Sequence, residues 1–198
     1  MDRLPTLTAL LLSSLALGCG DDAGAKSAPQ PNSRVVAVAA PKEKTDASEF
    51  CDVLSTADKA KGFSYPTLDT DPPKPTGHWR WVNLWASWCA PCAEELPLIT
   101  RFQEQLAKRG HTLDVVYISV DSSAEAADGF KASHPELKDS VRLKDFSALQ
   151  AWLESVGLDA GATLPVHFFV DPAGKVRCAR TGALRETDLS LVERVVSG

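Results

Sequence analysis

Along the second half of this chain, hydrophobic positions keep two rhythms in turn. Short unbroken apolar runs alternate with stretches in which apolar residues return once per helical turn. The run Trp81 to Trp85 predicts a buried strand, and behind it Leu96, Ile99, Phe102 and Leu106 fall on one face of a helix that Gly110 ends. Pro97 lies inside that helix and predicts a kink. Leu113 to Val120 predicts a central buried strand, and Ser122 and Ser123 offer an N-cap for a helix through Glu125 to Lys131. Val141 to Leu143 predicts a short strand. Ser147 to Val156 predicts an amphipathic helix around Leu149, Trp152, Leu153 and Val156. Val166 to Val170, the turn Asp171 to Gly174 and Lys175 to Thr181 read as an antiparallel hairpin. A last helix carries Leu189, Leu191, Val192, Val195 and Val196, with Glu186 as its first-turn acid. Strands alternating with helices predict an α/β fold with parallel crossovers.

The N-terminal part has a different pattern. An apolar stretch from Leu7 to Leu17, too short to span a bilayer, ends at Gly18-Cys19 and reads as an export signal over residues 1–18. Leu15-Ala16-Leu17-Gly18-Cys19 resembles the bacterial lipobox with Ala16 and Leu17 exchanged, which implies cleavage before Cys19 and lipidation of its thiol. Secretion with soluble release is the alternative, and either route leads to a compartment where disulfides persist. Residues 19–47, rich in Ala, Pro, Lys, Ser and Asp, read as a flexible tether, with Val35 to Val38 as a sticky patch in it or, alternatively, a short strand. That leaves 48–198 for one globular domain. In a chain of 198 residues, a hydrophobic share of 44% is enough for a core. A net charge of -5 with no basic run argues against a nucleic-acid surface.

The chemistry is carried by Trp88-Cys89-Ala90-Pro91-Cys92, directly after the Trp81 strand. Disulfide exchange needs an exposed, acidified cysteine and a second thiol close enough to resolve the mixed disulfide. Pro91 suits a first helical turn, so Cys89 is expected at the positive helix end as nucleophile, with Cys92 one turn inside as resolving thiol. A zinc site is the competing use of such a pair, but it takes four ligands. No second pair follows, and His78, His111, His134 and His167 are scattered. Cys51 and Cys178 remain. In an oxidising compartment a bridge between them is the economical assignment, and a buried free cysteine at either position is the other.

Trp79 to Pro97, with Leu164-Pro165 and Val170 to Gly174, resembles the thioredoxin-like TlpA/ResA family of envelope thiol:disulfide oxidoreductases, over roughly residues 63–184. The resemblance implies a thioredoxin-like fold, a central mixed β-sheet flanked by helices. It implies a cis Pro165 facing the cysteines, whose neighbouring backbone pairs with the substrate as an added strand. Leu164 departs from the small or β-branched residue often found before that proline. Glu95 matches an acidic residue that assists proton transfer, against the alternative of a solvated helix charge, and Glu94 is the weaker candidate. Asn83 stands where cytoplasmic thioredoxins carry a buried acid. Trp88 is expected either to shield the site or to be a core aromatic. A structural disulfide between Cys51 and Cys178 also fits the family. The function implied is reduction of disulfides in envelope proteins on the periplasm-facing side, of the cytochrome c or oxidase copper-site assembly type. The pair would be recharged by an upstream membrane dithiol donor, and no cofactor is needed. A net dithiol oxidase and a non-catalytic copper-binding module are the alternatives.

Overall fold

A computed structural model describes residues 46–159 and 161–198. The export segment 1–18, Cys19, the patch at 35–38 and all but the last two residues of the 19–47 tether lie outside the described residues. The elements in chain order are α1 (Ala47–Phe50), β1 (Val53–Leu54), β2 (Trp79–Trp85), α2 (Ala90–Lys108), β3 (Leu113–Ser119), α3 (Ala124–Lys131), β4 (Val141–Arg142), α4 (Leu149–Ser155), β5 (Val166–Val170), β6 (Val176–Thr181) and α5 (Leu189–Ser197). The six strands form one mixed sheet in the order β1-β6-β5-β2-β3-β4. β2/β3 and β3/β4 are parallel, and the other pairs are antiparallel.

β2 and β5 sit in the middle of this sheet, and from Arg80 onward every residue of β2 is buried, as are all five of β5. Both of their faces are covered, so the apolar runs need no alternation. On one face, Phe50 of α1 packs on Phe169 with ring centroids 6.1 Å apart, and α2 lies over Asn83. On the other, Trp152 of α4 meets Phe168 at 5.3 Å, and Phe63 closes over the same ring at 6.2 Å. Trp152 has its indole N–H satisfied by the Ser64 carbonyl, 2.8 Å away, so it is buried without an orphaned donor.

Local chemistry accounts for the ends of the elements. Ser123 caps α3 by accepting the Ala126 N–H, and Asp46 caps α1 through the Ser48 N–H. Gly110 takes a φ of +90° just past α2, where a side chain would be strained. Strand ends lie within two residues of those expected, and two helix starts differ in kind. The helix predicted over 147–156 begins as a 3-10 turn, Phe146–Ala148, because Asp145 accepts the Ser147 N–H, and the α-helix starts only at Leu149. Glu186 is not in the first turn of α5. It belongs to a preceding 3-10 turn, Glu186–Asp188, in which Asp188 accepts the Arg185 N–H. The short α1 and β1, absent from the sequence reading, are held by neighbours distant in sequence, β1 pairing with β6 through Val53 opposite Ala179.

Cys51 and Cys178 are joined, with Cα atoms 5.5 Å apart across 127 positions of sequence. The bond ties the segment between α1 and β1 to β6. Replacing both cysteines by alanine should lower the stability of the oxidised chain by about 2–4 kcal/mol, the usual range for closing a long loop. Thermal melting with and without the pair checks this, and an unchanged midpoint would count against the constraint. Tyr117 gives a second expectation. Burial, aided by the Glu136 carboxylate, pushes its phenol well above the ordinary value of 10.0. The folded state therefore holds the phenolic proton where the unfolded chain releases it, so this contribution is complete below about pH 10 and is lost as pH rises further. Tyr117→Phe should flatten the alkaline fall in stability, as followed by denaturant midpoints from pH 8 to 11.

Candidate functional site

α2 begins at the cysteine pair because the chain leaves β2 through a clamped turn. Asp121, buried at the end of β3, accepts the Ser87 N–H at 3.0 Å, the Ser87 hydroxyl at 2.8 Å and the Ser119 hydroxyl at 2.8 Å. The Cys89 N–H then reaches the Ala86 carbonyl at 3.0 Å, which turns the backbone into the helix. Cys89 is the N-cap of α2. Its Sγ accepts the Cys92 N–H at 3.3 Å, and its carbonyl takes the N–H groups of Cys92 and Ala93. Pro91 occupies the first turn, where its missing donor has no consequence. This sulfur therefore sits at the N-terminus of a 19-residue helix, the end at which negative charge is stabilised.

Cys89 and Cys92 form a disulfide of 2.04 Å. Sequence reasoning expects an exposed first cysteine, but in the oxidised pair Cys89 is only 5% exposed and Cys92 1%. The bond holds the Cys89 sulfur against the helix end, and access runs through an apolar hollow of about 520 Å³ beside it. Trp88, Pro91, Phe146, Leu149, Leu153 and Leu164 contribute to its walls. Trp88 is 68% exposed, so it is a wall of the site and not a core aromatic. Leu164 precedes Pro165 through a cis peptide bond, and the Pro165 carbonyl accepts the Gly182 N–H at 2.8 Å.

Glu95 is 2% exposed, which excludes the solvated helix charge, while Glu94 faces solvent. It lies one turn beyond Cys92 on the buried stripe that continues through Ile99, Phe102 and Leu106. Its Oε1 accepts from Asn83 Nδ2 at 2.9 Å and its Oε2 from the Leu184 N–H at 3.0 Å. His167 Nε2 stands 3.5 Å from the same Oε2. Sequence reasoning set His167 aside as one of four scattered histidines and did not single out Asp121. A partial signal was its place in the sequence, two residues after Pro165. Only the register, however, shows that it stands opposite Asn83.

Residues 56–179 match the AhpC/TSA family. The chain is 28% identical over 106 residues to the thiol-disulfide oxidoreductase ResA of Bacillus subtilis, covering 54% of each chain. It is 31% identical over 109 residues to a DsbE homolog described as a thiol:disulfide interchange protein of Paracoccus denitrificans, covering 54% of this chain and 52% of that one. The chain thus spans about half the length of the curated relatives it matches. A solved structure from Chlorobium tepidum, described as a candidate thiol:disulfide interchange protein DsbE, superposes with a TM-score of 0.52 at 27% identity. That match covers 73% of this chain and 97% of the other. With its thioredoxin-like mixed sheet and a cysteine pair at the head of α2, this chain belongs to the AhpC/TSA family.

Proposed function

We propose that this chain is an exported thiol:disulfide oxidoreductase, tethered to a membrane through a lipid on Cys19, that reduces disulfides of envelope proteins. The observation that carries the reading is the Cys89–Cys92 disulfide at the N-terminus of α2, with the Cys92 N–H directed at Cys89 Sγ beside a hollow open to solvent. In the reduced protein that N–H and the helix end favour the Cys89 thiolate. The thiolate attacks one sulfur of a substrate disulfide, and the other substrate sulfur leaves with the bonding pair. Cys92 then attacks Cys89 Sγ and releases the second substrate thiol. Glu95 takes the Cys92 proton.

The apolar walls suit a substrate segment with a nonpolar side chain beside its cysteine. The backbone around Leu164 is the edge such a segment would pair with, as the family resemblance implies. Trp88 would cover the reacting sulfurs from the solvent side, and Leu164 would narrow the groove. An upstream membrane dithiol donor would restore the reduced pair. Among the described residues no group of three His, Cys, Asp or Glu side chains is placed to hold a metal ion. A copper ion at this pair would therefore have two sulfur ligands and no third of those types.

Cys92→Ser should accumulate mixed disulfides with envelope proteins, visible as thiol-sensitive bands on non-reducing gels, whereas Cys89→Ser should capture none. The opposite pattern would exchange the two roles. Titration of the full chain in dithiothreitol or glutathione redox buffers, with alkylated cysteines counted by mass spectrometry, tests the direction. A reductant is expected to have a midpoint nearer the roughly −270 mV of thioredoxin than the roughly −120 mV of strong dithiol oxidases. A midpoint at the oxidising end would make the protein a net oxidase.

A further inference from the structure

His167 is fully buried, and its strand partners are Asn83 on β2 and Arg180 on β6, while Asn83 in turn faces Tyr117 on β3. Directly opposed residues share a face of the sheet, so Arg180, His167, Asn83 and Tyr117 form a polar row across four strands. α2 presents Glu95 to the middle of this row.

Each nitrogen of His167 has a defined task. Nδ1 lies 3.2 Å from Trp81 Nε1 and 3.2 Å from Asn83 Nδ2. An indole nitrogen can only donate, so Nδ1 is the lone-pair nitrogen and the proton is on Nε2. That N–H is buried with no hydrogen bond of ordinary length, and it faces Glu95 Oε2 at 3.5 Å. A buried donor left unpaired costs about 1–3 kcal/mol, which draws the carboxylate toward it. The other charged group in the row does not compete for this place. Arg180 directs its guanidinium to Asp188 Oδ2 at 3.3 Å and to the carbonyls of Gly182 and Ala183.

A carboxylate oxygen offers two acceptor sites. On Glu95, Oε2 faces both the Leu184 N–H and His167 Nε2, whereas Oε1 is met by Asn83 Nδ2. We propose that His167 is a positioning residue for thiol–disulfide exchange: it takes the second acceptor site of Glu95 Oε2 and leaves Oε1 as the oxygen that receives the Cys92 proton. This rests on the exchange chemistry proposed above. In the resolving step the Cys92 S–H bond breaks and its proton passes to Oε1. The sulfur pair forms the Cys92–Cys89 bond, and the Cys89–substrate bond breaks with its electrons leaving on the substrate sulfur. The proton then passes to the departing thiolate or to water. The substrate disulfide gains two electrons and the protein dithiol loses them.

Two measurements on the full chain test this. In protein labelled with 15N-histidine, the His167 ring, assigned by comparison with a position-167 variant, should show the Nε2–H tautomer in both oxidised and reduced forms. An Nδ1–H tautomer or an imidazolium would overturn the proposal, whatever the kinetics of the variants. Glutamine places an N–H near the Nε2 position, and asparagine places an acceptor near Nδ1 without reaching Glu95. With a cystine-bridged model peptide, His167→Asn should slow release from the mixed disulfide about tenfold, a fraction of what a positioned proton acceptor typically contributes. His167→Gln should restore release to within about twofold of wild type, and His167→Asn should add nothing in a Glu95→Gln background. Wild-type release in His167→Asn, or equal loss in the asparagine and glutamine variants, would remove the role of His167 alone. Failure of the wild-type chain to form any mixed disulfide would take the exchange reading down with it.

Discussion

The fold and the site both depend on how one buried carboxylate is satisfied. Glu95 occupies a core position of α2, and burying an ionisable group without partners would cost several kcal/mol. Its partners come from three separate places in the chain: the Asn83 amide on β2, the Leu184 N–H after β6, and His167 on β5 at a longer distance. Those donors can be met together only if α2 lies across the sheet at one position. The same position sets Cys92 one turn earlier on the buried face and Cys89 at the helix mouth. A polar requirement in the core thus fixes the register of the helix that carries the sulfurs, a job that apolar packing alone does less specifically.

Around that point the site is built from two opposite environments. One is the buried polar cluster of Glu95, Asn83, His167 and Trp81, connected through side-chain amide, indole and imidazole groups. The other is the apolar hollow, open to solvent, where Trp88 and Phe146 are large apolar side chains left exposed. The clamp at Asp121 holds Ser87 at the turn into the helix. One side is polar and closed to solvent, and the other is apolar and open to it.

Much of this was legible in the sequence, for definable reasons. The strand and helix rhythm of 79–120 is strong, and Trp88 to Cys92 follows a buried strand at a spacing that few other uses require. Glu95 was legible in principle too, since it is in phase with Cys92, Ile99, Phe102 and Leu106 on the buried stripe. His167 was not, because its meaning lies in strand pairing: a histidine inside an apolar run reads as a satisfied core residue until β2 and β5 are seen to be neighbours. The same applies to β1, whose two residues carry no periodic signal and exist because β6 offers them an edge. Helix starts set by a side chain reaching its own backbone, as at Asp145 and Asp188, moved boundaries by two or three positions.

The bond between Cys51 and Cys178 gives the domain a covalent topology of its own. It closes a ring containing every strand from β1 through β5, the first residues of β6, and the Cys89–Cys92 pair itself. A single cut of the backbone anywhere inside that ring, for instance in the long segment between β1 and β2, leaves one molecule and not two. A nicked copy would keep its sheet partners tethered at both ends, and the loop that carries Cys89 and Cys92 would remain attached to the strands that hold it.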